Sequence, residues 1–236
     1  MPDLFELGTV PFDRLLPSHL RRALEEVSVT RRYADGELIH GRGDRKPGLS
    51  IVRAGAVKMC NYGADGSVVT TAVLGPGQVF GEFTLLTDLP RTHDAIAVGR
   101  VAVDQVGRAA YDALVEREPE LLRILADSTA RRLHAVLELL DDLRRLPLPV
   151  LTAKTLLGMA RLSTEPGVIH CSQTDLAVTL GVSRVSIGKV LKQLQSAGLL
   201  EQRYGRIEMP DSTALADWIA ERDYLFRIDA PASQVE

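Results

Sequence analysis

The sequence predicts an α+β chain in two parts, an antiparallel β domain followed, across a long helix, by a small helical domain that ends in a β-hairpin. Three observations predict it. Between residues 27 and 108, short β-rich runs alternate with glycine-bearing turns. Residues 109–146 then contain no glycine and, after Pro119, no proline, which reads as one long helix. Beyond Pro147 and Pro149, helical periodicity resumes in shorter segments broken at Gly181 and Gly198.

Composition narrows the function classes. Of 236 residues, 45% are hydrophobic and 25% charged, as in an ordinary globular protein. Charge breaks every apolar run well short of membrane-spanning length, so the chain is expected to be soluble. The opening MPDLFELGTVPF has no basic stretch leading into an apolar core, which makes the cytoplasm the default location. The two cysteines, Cys60 and Cys171, lie far apart and form no CxxC. A disulfide framework, a Cys-rich zinc site and a four-Cys iron–sulfur cluster are therefore unsupported. No nucleophile and base stand at interpretable spacing, so no enzyme is expected.

In order along the chain, FDRLLPSHLRRALE at residues 12–25 is a short amphipathic helical opening. The β-rich runs are Leu49–Val52, Ala56–Cys60, Val68–Leu74 and Ala95–Val98. Turns are expected at Ala34-Asp35-Gly36, Gly41–Asp44, Ala54-Gly55, Ala64-Asp65-Gly66 and Gly75-Pro76-Gly77, giving a small antiparallel barrel or sandwich. On the long helix, Leu122, Ala126, Thr129, Leu133, Val136, Leu140 and Leu143 fall on one seam by alternating steps of four and three. Leu121, Ile124, Leu125, Leu137 and Leu139 supply a second apolar face. One face alone would suit a helix lying on the barrel; two also allow a partner helix, so the seam is read as a dimer interface.

Pro147 and Pro149 end this helix because neither donates the hydrogen bond that would continue it. Another helix covers residues 150–162, and the polar turn Ser163–Gly167 follows. Then comes SQTDLAVTLGVSRVSIGKVLKQLQSA at residues 172–197. Ser172 with Asp175 resembles a capping box, and Leu176, Ala177 and Leu180 form the buried face of a short helix. Gly181 suits a tight turn that needs positive φ. Val182 plugs the angle, Ser183 caps the next helix, and Ile187, Val190, Leu191 and Leu194 point inward. That leaves Arg184, Val185, Ser186 and Lys189 outward on its first turns, where a recognition helix meets the major groove. After Gly198-Leu199-Leu200, residues Glu201–Met209 form a hairpin wing with Tyr204-Gly205-Arg206 at its tip.

Local charge agrees. The net charge is −3, yet residues 152–207 hold seven Lys/Arg against three acids, while residues 208–236 hold two against seven. A basic patch inside an acidic chain fits a duplex-binding face. Ser172, Gln173 and Thr174 at the first helix start, Ser183 at the second, and Tyr204 and Arg206 on the wing complete the expected DNA contacts.

The chain resembles the CRP/FNR family over roughly residues 12–210. The resemblance rests on ELIHGRGD, LSIVRAGAVKM, FGEFTLLTDLPRTHDA, ARRL at 130–133 and GVSRVSIGKVLKQL. It implies a dimeric transcription regulator that binds a palindromic operator and works with RNA polymerase. Residues 1–110 would form a cyclic-nucleotide-binding-like β-roll (double-stranded β-helix), and 111–146 a long dimerisation helix. Residues 147–210 would form a winged helix-turn-helix, with 211–236 an acidic C-terminal extension. By resemblance Gly81, Glu82, Arg91 and Thr92 would hold a cyclic nucleotide, Glu82 at the ribose and Arg91 and Thr92 at the phosphate. Gly lets the backbone approach a ligand, and Arg offers permanent charge.

Several residues depart from that pattern. His93-Asp94 stands where the cassette carries a small residue, and Asp94 would repel a phosphate if it faced the site. Thr84 replaces a small residue. Val136 and Leu137 stand where cyclic-AMP receptors carry hydroxyls for the adenine amine. The ligand thus remains open between a cyclic nucleotide, another effector and none, with an internal Arg91–Glu82 salt bridge in the last case. His93 and His134 fall where both could face a pocket, which leaves haem as a further alternative, although a lone histidine is more often a partly buried polar side chain. Val185 follows Arg184 where readers of a TGTGA-type half-site carry an acid, so a different half-site is expected. The alternative from another class is a cyclic-nucleotide-binding module acting on a protein partner.

Overall fold

The structure, a computed structural model, describes residues 10–63, 66, 68–87, 89–163 and 165–223. The chain divides into two compact units, one ending at Val136 and the other beginning at Leu137. No helix among the described residues is long and apolar enough to cross a membrane.

The first unit opens with α1 (Phe12–Leu15) and α2 (Ser18–Val27), two helices where the sequence suggested one. Pro17 is the cause, since it holds Leu16 in extended backbone. An antiparallel β-roll follows, made of β1 (Val29–Tyr33), β2 (Leu38–His40), β3 (Gly48–Tyr62), β4 (Val68–Leu74), β5 (Val79–Phe80) and β6 (Asp94–Gly107). The main path is β1-β6-β3-β4, with β2 on β6 and β5 on β3. The expected turn at Ala54-Gly55 is instead an irregularity within the single long strand β3, where the register against β6 shifts twice between Val52 and Ala56. Gly55 has φ +81°, which lets the strand kink without leaving the sheet. The turn expected at Ala64-Asp65-Gly66 lies largely outside the described residues. Val52, Val57, Phe80, Ala97 and Val103 fill the interior of the roll.

Between β5 and β6 sits the short α3 (Glu82–Leu86), and after β6 come α4 (Arg108–Arg117) and α5 (Glu120–Arg145). The single helix expected over 111–146 is therefore broken at Glu118-Pro119. Leu20 and Leu24 of α2 pack with Tyr111 and Leu114 of α4 and with Leu121, Ile124 and Leu125 of α5. The start of α5 thus belongs to the core of the first unit. Leu137, read as part of the same inner face, is 52% exposed.

The second unit holds α6 (Leu148–Leu162), β7 (Val168–Ile169), α7 (Gln173–Thr179), α8 (Arg184–Ser196), β8 (Glu201–Arg203), β9 (Arg206–Glu208) and α9 (Ser212–Ala220). Its strands order β7-β9-β8. Leu156, Leu176, Ile187, Leu191 and Ile207 share one core with Leu215 and Ile219 of α9. Burial of a side chain of this size stabilises by roughly 1.5–3 kcal/mol. The acidic extension placed at 211–236 therefore begins with a core helix, and the folded domain continues past residue 210. The acids there mislead by composition, since Asp211 is spent on capping α9 through the backbone N–H groups of Thr213 and Ala214. Residues 224–236 lie outside the described residues. Asp223, fully buried, accepts from Arg145 at 2.6 Å, while Lys154 bridges Asp142 at 2.8 Å. This ties the last turn of α5 to α6 and to the end of α9.

Candidate effector pocket and nucleic-acid interface

The first unit contains a cavity of about 230 Å³ between the roll, α3 and the α5 face at Arg132 and Val136. Met59, Leu74, Phe80, Phe83 and Ala95 give it apolar walls, and His40, Gln78, Glu82, Arg91, Thr92 and His93 bring polar groups. Gly81, at φ +90°, turns the chain from β5 into α3. A Cβ there would collide with Arg91 Nη1 and stand 2.9 Å from the Gly48 carbonyl. Only glycine lets the guanidinium lie so close to the backbone.

Glu82 does not pair with Arg91. Its Oε1 accepts from Arg132 Nη1 at 2.6 Å, and Arg132 Nη2 donates to the Val79 carbonyl at 3.0 Å. The internal Arg91–Glu82 bridge is thereby corrected, because α5 carries Arg132 over the β5–α3 turn and claims the carboxylate first. Arg91 is 8% exposed, its Nη2 reaches the Lys46 carbonyl at 3.4 Å, and its Nε has no hydrogen-bond partner. Burial lowers its pKa against the pull of Asp44 and Glu82, yet an arginine stays charged. The buried Gln78 Nε2 also lacks a partner.

His40 is held neutral. Burial, then the charge of Arg91, lowers its pKa to about 4. Its Nε2 meets Ser50 Oγ at 2.9 Å and its ring packs edge-on to Phe80. Burial, ahead of Arg42, likewise lowers the pKa of His93, whose Nδ1 meets Thr92 Oγ1 at 2.8 Å.

Of the six residues expected at the effector, Gly81, Glu82, Arg91, Thr92 and Val136 line the cavity and Leu137 does not. Successive helical residues diverge by about 100°, so a pair of neighbours seldom faces one cavity. Asp94 does not face it either, since its Oδ1 accepts from the Arg42 backbone N–H at 2.8 Å. Thr84 satisfies itself by donating to the Gly81 carbonyl at 2.9 Å. His134 is not in the lining, so the two histidines do not meet there. Arg132 stands within ARRL and His40 within ELIHGRGD, but no spacing signals that the one reaches Glu82 or the other Phe80.

In the second unit the helix-turn-helix assembles as the pattern requires. Ser172 Oγ accepts from Asp175 N at 3.1 Å, and Asp175 Oδ2 accepts from Ser172 N at 2.8 Å, closing the capping box of α7. Gly181 has φ +64°. Ser183 Oγ caps α8 through Ser186 N at 3.1 Å. Arg184, Val185 and Lys189 are exposed, Val185 by 69%, and Ser186 is half-buried. Thr174 is exposed and Tyr204 stands fully in solvent at the wing tip. Arg206 pairs with Glu208 at 2.7 Å. Gln173 Nε2 donates to Gln202 Oε1 at 3.0 Å.

Two family models match, a cyclic nucleotide-binding domain over residues 30–118 and a Crp-like helix-turn-helix domain over 152–218. A protein named cyclic AMP receptor protein from Thermus thermophilus is 30% identical over 210 residues, 89% of this chain and 96% of its own. The chain belongs to the CRP/FNR family of transcription regulators. A CRP-like cAMP-activated global transcriptional regulator from Mycobacterium tuberculosis is 29% identical, covering 84% of this regulator and 89% of itself. Among solved structures, FixK2 from Bradyrhizobium japonicum aligns with TM-score 0.67 and 25% identity over 81% of the regulator and 96% of its own chain. With a helix-turn-helix model on the same chain, the protein-partner alternative finds no support. Among the described residues no cluster of three His, Cys, Asp or Glu could hold a metal ion.

Proposed function

We propose that this regulator is an effector-modulated homodimer whose pocket takes a small anionic ligand of the cyclic-nucleotide class. The observation that carries the reading is Arg91, a buried, charged side chain on the cavity wall whose Nε has no hydrogen-bond partner. A phosphate accepts the charge-assisted bonds that such a group needs. Thr92 would share the phosphate, Glu82 would accept from a sugar hydroxyl, and the apolar walls would take the base. Two of the relatives carry cyclic AMP in their names, which favours the same ligand class.

The exposed apolar seam Leu122, Ala126, Leu133, Val136, Leu140 and Leu143, with half-buried Thr129, would meet its copy across a two-fold axis. Two recognition helices would then read the half-sites of a palindrome other than TGTGA, in concert with RNA polymerase.

The test is calorimetry with cyclic AMP and cyclic GMP, alongside mobility shifts on operator duplexes chosen by selection. Binding heat for the wild type, lost in Arg91→Ala together with ligand-dependent DNA binding, is the expected result. No heat with either nucleotide, and DNA binding indifferent to Arg91→Ala, would overturn the ligand assignment.

A further inference from the structure

Three glutamines in the DNA-binding unit form a directed chain. Among the described residues β8 is the edge of its sheet and pairs with β9. On that edge the Gln202 backbone N–H donates to Gln195 Oε1 of α8 at 3.0 Å, and Gln202 Nε2 donates to the same oxygen at 3.3 Å. Gln202 Oε1 in turn accepts from Gln173 Nε2 of α7 at 3.0 Å. A carboxamide can present either end, but a backbone N–H can only donate. The Gln202 N–H therefore fixes Gln195 oxygen-first, which turns the Gln202 amide nitrogen towards it, which in turn fixes Gln173 nitrogen-first. The chain leaves Gln173 Oε1 facing α8, where a Cβ on Gly188 would stand 3.4 Å away.

We infer that Gln173, Gln195 and Gln202 form a polarity-locked amide relay that positions the wing and the start of α7 on the recognition helix. Gln173 is then a positioning residue. One of its two amide hydrogens is committed to Gln202, and its Oε1 faces α8. The relay sets where the wing residues Arg203, Tyr204 and Arg206 stand when Arg184 enters the groove.

The polarity makes an asymmetric forecast. Glutamate at 195 can still accept both bonds from Gln202. Glutamate at 202 loses the donor to Gln195, and glutamate at 173 loses the donor to Gln202. All three substitutions add the same charge, so their differences report the direction of the relay.

The experiment uses the full chain without DNA and follows amide hydrogen exchange at Gln202 and across β8 by NMR. Gln195→Glu should keep the wild-type protection. Gln195→Ala should lose about five-fold at Gln202, the size of one hydrogen bond. Gln202→Glu and Gln173→Glu should loosen β8 by a similar factor. Because this readout needs neither ligand nor operator, its failure is separate from failure of the effector reading. Gln195→Glu as damaging as Gln195→Ala, or Gln173→Glu without effect on β8, would overturn the relay. A second measurement guards against general destabilisation by testing Gln195→Ala and Arg206→Ala singly and together for affinity to an operator duplex. Effects smaller together than their product support positioning of the wing; independent effects refute it.

Discussion

At the scale of single residues, we propose that base reading rests on the first turn of α8, where Arg184 and Val185 are exposed beside the Ser183 cap. The planar fork of Arg184 matches guanine O6 and N7, whereas Val185 can offer only apolar contact, for instance to a thymine methyl. Arg184→Ala should cost about 1–3 kcal/mol at the cognate site and relax one base of each half-site. Val185→Glu should shift preference towards cytosine opposite that position. Selection on randomised duplexes checks both, and an unchanged motif in both variants would remove α8 from base reading. In the pocket, His40 makes a prediction about pH. Its pKa falls from 6.5 in the unfolded chain to about 4 in the folded one. Between those values the unfolded chain binds more protons, so stability falls as pH falls through the window. His40→Gln should flatten the pH dependence of denaturant midpoints between about pH 6.5 and 4. An unaltered slope would show that His40 is not the buried neutral base. The Ser172, Asp175, Gly181 and Ser183 roles were legible in the sequence because capping and tight turns are local chemistry. The Glu82–Arg132 pair was not, because its partners lie 50 residues apart and only the packing of α5 joins them.

At the scale of elements, α9 illustrates how composition can mislead. Its surroundings are acidic, yet Leu215 and Ile219 are fully buried and Asp223 beyond it accepts from Arg145. Ending the chain after Pro210 should remove these core contacts and leave Arg145 without that carboxylate. Unfolding of the helix-turn-helix unit at markedly lower denaturant, read by circular dichroism, is expected. A truncated chain with an unchanged midpoint would mean that α9 is dispensable. The long helix teaches the converse. Its periodicity was visible, but the break at Pro119 and the engagement of Leu121, Ile124 and Leu125 with α2 and α4 depend on neighbours that the pattern cannot name. The long strand β3 is similar, since Gly55 signalled a turn and delivered an irregularity inside a continuous strand.

For the molecule as a whole, the exposed seam on α5 sets the expected assembly. Leu122, Leu133, Val136, Leu140 and Leu143 are each 42–58% exposed in the single chain. A stripe of large apolar side chains in water is costly, and we propose a second copy of the chain as the partner that covers it. Replacing Val136 and Leu140 together by lysine should yield a monomer by light scattering, with weakened binding to a palindromic duplex. A double variant that stays dimeric would place the interface elsewhere. By itself the sequence determined what is periodic or local: the β-rich half, the seam, the capping box, the tight turn at Gly181 between α7 and α8 and the family to which they belong. Only the tertiary structure decided which distant groups meet. It gave Glu82 to Arg132, aimed Asp94 at the Arg42 backbone, drew α9 into the core and joined Gln173 to Gln202. Each of these depends on direction and reach in three dimensions, and a linear pattern carries residue type and spacing but neither of those.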